Sequence, residues 1–151
     1  MSVSVQQADF DLGAETAALS AAHPETGAVA SFVGFVRRGR GQETVDAMTL
    51  EHYPGMTEKA LQAIEDEARQ RWELLGVRII HRVGRLLPGE HIVMVAVASA
   101  HRGEAFAACE FIMDYLKTRA PFWKREEGAE GARWVDARDS DTAAVERWDM
   151  R

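Results

Sequence analysis

The chain has 151 residues, 46% of them hydrophobic and 28% charged, with a formal net charge of −6, which is the composition of one soluble globular domain (residues 1–151) large enough to bury a core. A pI of about 5.4 argues against a general nucleic-acid binder, whose affinity comes from local cation excess. A single cysteine and no CxxC exclude an internal disulfide and a cysteine zinc site, and with no signal-peptide pattern and no apolar run near the roughly 18 residues of a bilayer span the expected location is the cytoplasm.

Residues 11–22 read as a short helix that stops near His23 and Pro24. Gly27–Arg37 is short, β-branched and aromatic, the mark of a strand. Arg38–Glu43 (RGRGQE) reads as a flexible loop, and Val45–Tyr53 alternates as a second strand. Together these predict an antiparallel hairpin with a mobile tip. Pro54-Gly55-Met56-Thr57 opens a helix with Thr57 as its N-cap. Leu61, Ile64, Ala68 and Trp72 form one apolar face of it, and Gly76 ends it. Val77–Val83 is a third strand, followed by a turn over Arg85–Glu90. Ile92–Ala98 is a continuous apolar run of strand length, the pattern of a central buried strand. Glu104–Thr118 is helical, with Phe106, Cys109, Ile112, Met113 and Leu116 facing inward, and Pro121 stops it by pushing Ala120 out of the α region. A last strand runs over Arg133–Arg138. After the first helix the order is β-β-α-β-β-α-β, an α+β fold with helices packed on a mostly antiparallel sheet.

The chemistry concentrates between Phe111 and Glu126, where two lysines, two arginines and four aromatics surround Pro121. From Lys117 to Arg125 there are four cations and no anion, whereas solvated faces mix charge signs because neighbouring like charges repel. Such a segment suits an anionic, partly flat ligand. Lys117 and Lys124 flank the turn at Pro121, which can aim both ammonium groups into one pocket. The ordinary alternative is a solvated lysine favoured by the helix C-terminus. Lys124, Arg119 and Arg125 favour a neutral Lys117 by repulsion, and a neutral lysine can act as base or nucleophile.

Arg37, Arg38 and Arg40 close the first strand, either as a solvated tip or as a cover over a phosphate. Gly39-x-Gly41 lacks the GxGxxG spacing of a dinucleotide site. His101-Arg102 sits where a buried strand meets a helix N-terminus, either a polar junction or an anion site. Cys109 reads as a core residue. His23, His52, His81 and His91 show no metal-ligand spacing and read as structural, so no metal is expected.

Leu50–Met56 (LEHYPGM), Ala100-His101-Arg102, Phe111–Arg125 and Arg133–Arg138 (RWVDAR) resemble the large, catalytic subunits of molybdopterin synthase, in order and over nearly the whole chain from Phe10 to Trp148. The resemblance implies an α/β-hammerhead-like fold and a sulfurtransferase of molybdenum-cofactor biosynthesis that needs no cofactor of its own. In that family, sulfur arrives as a thiocarboxylate on the C-terminal glycine of a small ubiquitin-like subunit. It is transferred to cyclic pyranopterin monophosphate to form the dithiolene of molybdopterin. Two large subunits form a central homodimer with a small subunit at each end, a heterotetramer.

By position, the resemblance makes Lys117 the lysine beside the carrier's terminal glycine and Lys124 the second catalytic lysine. Arg37, His101 and Arg102 match positions that hold the pterin phosphate and adjacent oxygens, and Arg138 matches an arginine contributed across the dimer. Phe32, Met113 and Glu126 match residues that line or support the pocket. The loop Arg38-Gly39-Arg40-Gly41 departs from the asparagine-containing loop of the family, which opens a role for Arg38 or Arg40. Two rival readings remain from the residues alone. One is a non-catalytic adaptor that docks a partner's acidic tail on Lys117–Arg125. The other is an RNA-binding module stacking bases on Phe122 and Trp123, against which the acidic total charge stands.

Overall fold

A computed structural model describes residues 2–40, 43–128, 131–135 and 139–149. The elements are β1 (Val3–Gln6), α1 (Leu12–Ala22), β2 (Ala28–Phe35), β3 (Gly39–Arg40), β4 (Glu43–His52), α2 (Met56–Arg71), β5 (Gly76–Arg82), β6 (Gly84–Leu86), β7 (His91–Ser99), α3 (Arg102–Arg119), β8 (Phe122–Gly128), β9 (Gly131–Val135) and α4 (Asp139–Asp149). The expected α+β architecture is present, but its strands divide between two sheets. The first has the order β1-β5-β7-β2 and the second β3-β4-β8-β9, with β6 also on β4. Among the described residues only the β1–β5 pair is parallel.

β7 is the buried interior strand that its apolar run predicts. Its two faces feed different layers, because successive side chains point to opposite sides. Val93, Val95 and Val97 join the main core with Ala108, Phe111 and Ile112 of α3. Met94 and Ala96 pack instead with Ile80, Phe10 and Leu19 of α1. A strand covered on both faces has no position for a polar residue, which is why its sequence does not alternate.

The hairpin expectation is wrong. β2 pairs with β7 in the first sheet, Phe32 opposite Val95, while β4 pairs with β8 in the second, Leu50 opposite Lys124. Val36 carries the chain across: its side chain is buried, its N–H donates to the Glu90 carbonyl, and its carbonyl accepts from Gly89. Those bonds tie the crossing segment to the β6–β7 turn instead of to a hairpin. Part of the expected loop after Arg37 is strand, with Gly39 opposite Thr44. Part of the expected turn after Val83 is also strand, with Leu86 opposite Met48.

Two helix expectations also need correction. The cap of α2 is Gly55, at φ +84°, and the Glu58 carboxylate accepts from its N–H at 3.1 Å. Thr57 lies inside the first turn, buried, and its hydroxyl donates to the Tyr53 carbonyl at 2.9 Å. On α3 the buried stripe runs through Ala105, Ala108, Cys109, Ile112, Tyr115 and Leu116, and Phe106 is 65% exposed. With 105, 108, 109 and 112 on the buried face at helical spacing, position 106 falls on the solvent side. β1, β8 and α4 add to the expected elements.

Candidate functional site

α3 ends as the Pro121 argument requires, with Arg119 its last residue and Ala120 extended at φ −78°, ψ 133°. The Phe122 N–H donates to the Ala120 carbonyl at 2.9 Å, so the chain reverses within a few residues and enters β8 at once. On β8 the side chains alternate. Phe122 and Lys124 face inward, and Trp123 and Arg125 lie on the opposite face. Lys117, on the last turn of α3, therefore meets Lys124 across a single cleft.

That cleft holds about 490 Å³, and its walls include Phe32, Phe35, Arg37, His81, Lys117, Phe122, Lys124 and Asp141. The size suits one small-molecule ligand. The first sheet contributes Phe32 from β2 and His81 from β5, and Arg37 comes from the segment just after β2. The second contributes Phe122 and Lys124, and α4 contributes Asp141. Three cations, one carboxylate and three phenyl rings thus surround a pocket open to solvent. The expected four-cation cluster is narrower than the sequence implies. Arg119 turns away, its guanidinium 3.1 Å from Glu67 and 4.0 Å over the Tyr115 ring.

Other expected residues lie elsewhere. Met113 is buried in the main core one turn before Lys117. Glu126 is buried on the inner face of β8 two residues beyond Lys124, with Arg133 of β9 3.8 Å away. Arg138 falls outside the described residues. His101 and Arg102 are exposed at the other end of α3, lining a separate cleft with Gly27, Ala28, Ala100 and Gly103. Gly27 permits that cleft, since a Cβ there would collide with the Ala100 carbonyl. Fifteen residues of α3 separate Arg102 from Lys117, about 22 Å of helix at 1.5 Å per residue. One small ligand cannot touch both ends within one chain.

His81 and Asp141 escaped the sequence reading. His81 is buried against Phe122, ring centroids 3.7 Å apart and planes 16° from parallel. Burial lowers its pKa from 6.5 to about 3, against the Arg82 hydrogen bond, and the charges of Lys117, Lys124 and His52 lower it further. The sole sequence signal was a polar pair closing an apolar strand, Ile79-Ile80-His81-Arg82. With Phe122 stacked inside the cleft and Trp123 on the far face of β8, the two rings do not form one base-stacking platform. Cys109 is core, and burial pushes its thiol up to about 11. Among the described residues no His, Cys, Asp and Glu group could hold a metal, and no helix is long and apolar enough to cross a membrane.

The family model of the MoaE protein matches residues 5–119. The chain belongs to the MoaE family. It is 65% identical over 146 residues to the molybdopterin synthase catalytic subunit of Ralstonia nicotianae, covering 97% of this chain and 83% of the relative. The solved molybdopterin biosynthesis MoaE protein of Burkholderia ambifaria is 59% identical, superposes with a TM-score of 0.85, and covers 99% of each chain. At 19% identity the likeness is one of fold alone for a chain of the Helicobacter pylori complex of subunits 1 and 2 of molybdopterin-converting factor. Its TM-score is 0.75, with 91% of this chain and 92% of that one covered.

Proposed function

We propose that the chain is the catalytic subunit of a molybdopterin synthase, moving sulfur from the C-terminal thiocarboxylate of a small ubiquitin-like subunit to cyclic pyranopterin monophosphate. That it is an enzyme of molybdopterin biosynthesis follows from its family and its 65%-identical relative. A solved chain of the same fold belongs to a two-subunit complex, which supports a small-subunit partner. The observation that carries the finer reading is the convergence of Arg37, Lys117 and Lys124 in one cleft walled by Phe32 and Phe122.

The residue types suit the reaction. A thiocarboxylate is already a sulfur nucleophile at neutral pH and needs no metal to activate it. The difficulty is holding an anionic tail beside an anionic substrate. Cationic side chains offset that repulsion, each charge-assisted hydrogen bond contributing about 1.5–3 kcal/mol. The ring walls of Phe32 and Phe122 accept a flat heterocycle. Lys117 acts at the carrier glycine, where the carbon–sulfur bond breaks, and Lys124 acts at the pterin as acid, base or transient imine former. A positioned proton-transfer group of this kind contributes roughly 10²–10⁴-fold.

His101 and Arg102 enter through a second copy. Because one chain keeps them about 22 Å from Lys117 along the helix, their proposed contact with the substrate phosphate requires another subunit's α3 to present its N-terminal end to this cleft. Arg138 would come by the same route. A homodimer carrying one small subunit per cleft then has two complete sites.

The test mixes the protein with thiocarboxylated small subunit and cyclic pyranopterin monophosphate, and follows molybdopterin by its fluorescence after oxidation. Product from wild type and none from Lys117→Ala is the expected result. Complex formation with no product from either protein would leave the adaptor reading in its place.

A further inference from the structure

The roles above leave His81 unused, although it stands in the wall of the cleft. Its Nδ1 lies 2.8 Å from the Arg82 carbonyl oxygen. A carbonyl oxygen only accepts, so Nδ1 carries the hydrogen, and the neutral ring keeps its lone pair on Nε2. Among the described residues this is the only hydrogen bond the ring makes. The stack on Phe122 fixes the ring plane, and β5 anchors the backbone with His81 opposite Val93 on one side and Val5 on the other. The acceptor is therefore held rigidly.

The rest of the lining makes that acceptor distinctive. Arg37, Lys117 and Lys124 are cationic donors, Asp141 is a carboxylate, and the remaining lining side chains are apolar. Anionic oxygens of a substrate have donors to spare in such a cleft. A heterocycle with ring N–H, amino or hydroxyl groups also brings donors, and these need an acceptor that does not compete for the cations.

We propose that His81 is a substrate-binding residue whose Nε2 accepts a hydrogen bond from an N–H or O–H group of the heterocyclic substrate, selecting a donor-bearing ring in the cleft. The ring is neutral across the working pH range, because burial first, and then the charges of Lys117 on α3, Lys124 on β8 and His52 on β4, depress its protonation. Protonation would replace the acceptor by a donor and add a charge beside both lysines. This inference rests on the synthase reading and names the group that reads the pterin.

Two substitutions separate the role from packing. His81→Asn places its amide near the position of Nδ1 and can keep the bond to the Arg82 carbonyl, but has nothing at Nε2. His81→Gln extends to the position of Nε2 and restores an acceptor there. Steady-state kinetics are measured separately for cyclic pyranopterin monophosphate and for thiocarboxylated small subunit, with thermal unfolding alongside. The expected result for His81→Asn is a KM for the pterin raised about ten- to hundredfold, the cost of leaving a donor unpaired. The KM for the carrier stays within about twofold, and His81→Gln recovers most of the loss. An unchanged pterin KM in His81→Asn would overturn the assignment. So would equal increases for both substrates, or identical losses in the Asn and Gln variants, because each of these marks packing alone. Absence of turnover by wild type would sink the synthase reading and this one with it, whereas wild-type turnover with an indifferent His81→Asn would sink only the role of His81.

Discussion

At its C-terminal end α3 delivers Lys117 into a cleft roofed by a second sheet; at its N-terminal end it presents His101 and Arg102 on an open surface. Both ends put cations where a strand or turn meets the helix. What differs is enclosure. Pro121 folds β8 back over the C-terminal end, so that Lys117 gains Lys124, Arg37 and aromatic walls. At the other end His101 and Arg102 stay exposed, beside Gly27, Ala28 and Ala100. A charged cluster becomes a site when the fold brings other elements over it, and the N-terminal pair is the part for which we propose a second copy.

The largest expected effect comes from the enclosed end. Lys117→Ala should lower turnover by roughly 10²–10⁴-fold, with complex formation and unfolding temperature retained; full activity would remove the lysine from the chemistry. Next is the open end. Arg102→Ala should raise the pterin KM about ten- to hundredfold, the worth of one charge-assisted hydrogen bond, while carrier binding is unchanged. An indifferent Arg102→Ala would leave that end of α3 without a role.

A third test uses pH. His81 titrates near 6.5 when unfolded and about 3 when folded, so the unfolded chain takes up the proton first as pH falls. Its contribution to stability is complete above about pH 6.5 and is lost progressively towards pH 3, by up to about 1.4 kcal/mol per unit. Denaturant unfolding between about pH 7.5 and about pH 4.5 should show wild type losing stability more steeply than His81→Gln. Parallel slopes would contradict the buried neutral imidazole. The smallest effect is expected at Phe106, whose exposure on α3 predicts that Phe106→Ala changes stability by less than about 0.5 kcal/mol. Phe111→Ala, one and a half turns on and fully buried, should cost about 3–5 kcal/mol.

The parts of the fold legible in the sequence were those where one layer decides the pattern. β7 showed as an apolar run because both faces are buried, and the end of α3 showed because Pro121 acts locally. β8 was hidden: its inward positions are Phe122, Lys124 and Glu126, so a strand that lines a cleft has no apolar alternation. The false hairpin had a related cause. Two strands close in sequence pair by default, and only the tertiary bonds of Val36 to Gly89 and Glu90 send them to different sheets. In the site, Arg37, Lys117 and Lys124 were legible because unbalanced charge is conspicuous in an acidic chain. His81 was not, since a histidine at the end of an apolar strand looks like core until its neighbours are known. Asp141 was lost with α4, whose start at Asp139 resembles a polar loop.

The proposed completion of one chain's cleft by α3 of another is tested most directly by mixing two defective proteins. Lys117→Ala and Arg102→Ala subunits are co-refolded in equal amounts and assayed with thiocarboxylated small subunit and with cyclic pyranopterin monophosphate held below the wild-type KM, where the Arg102→Ala defect shows. Random pairing makes about half the dimers mixed, each with one site intact in both parts, so activity should return to about a quarter of wild type. Activity no greater than the sum of the two separate variants would show that each chain's site is complete without its neighbour.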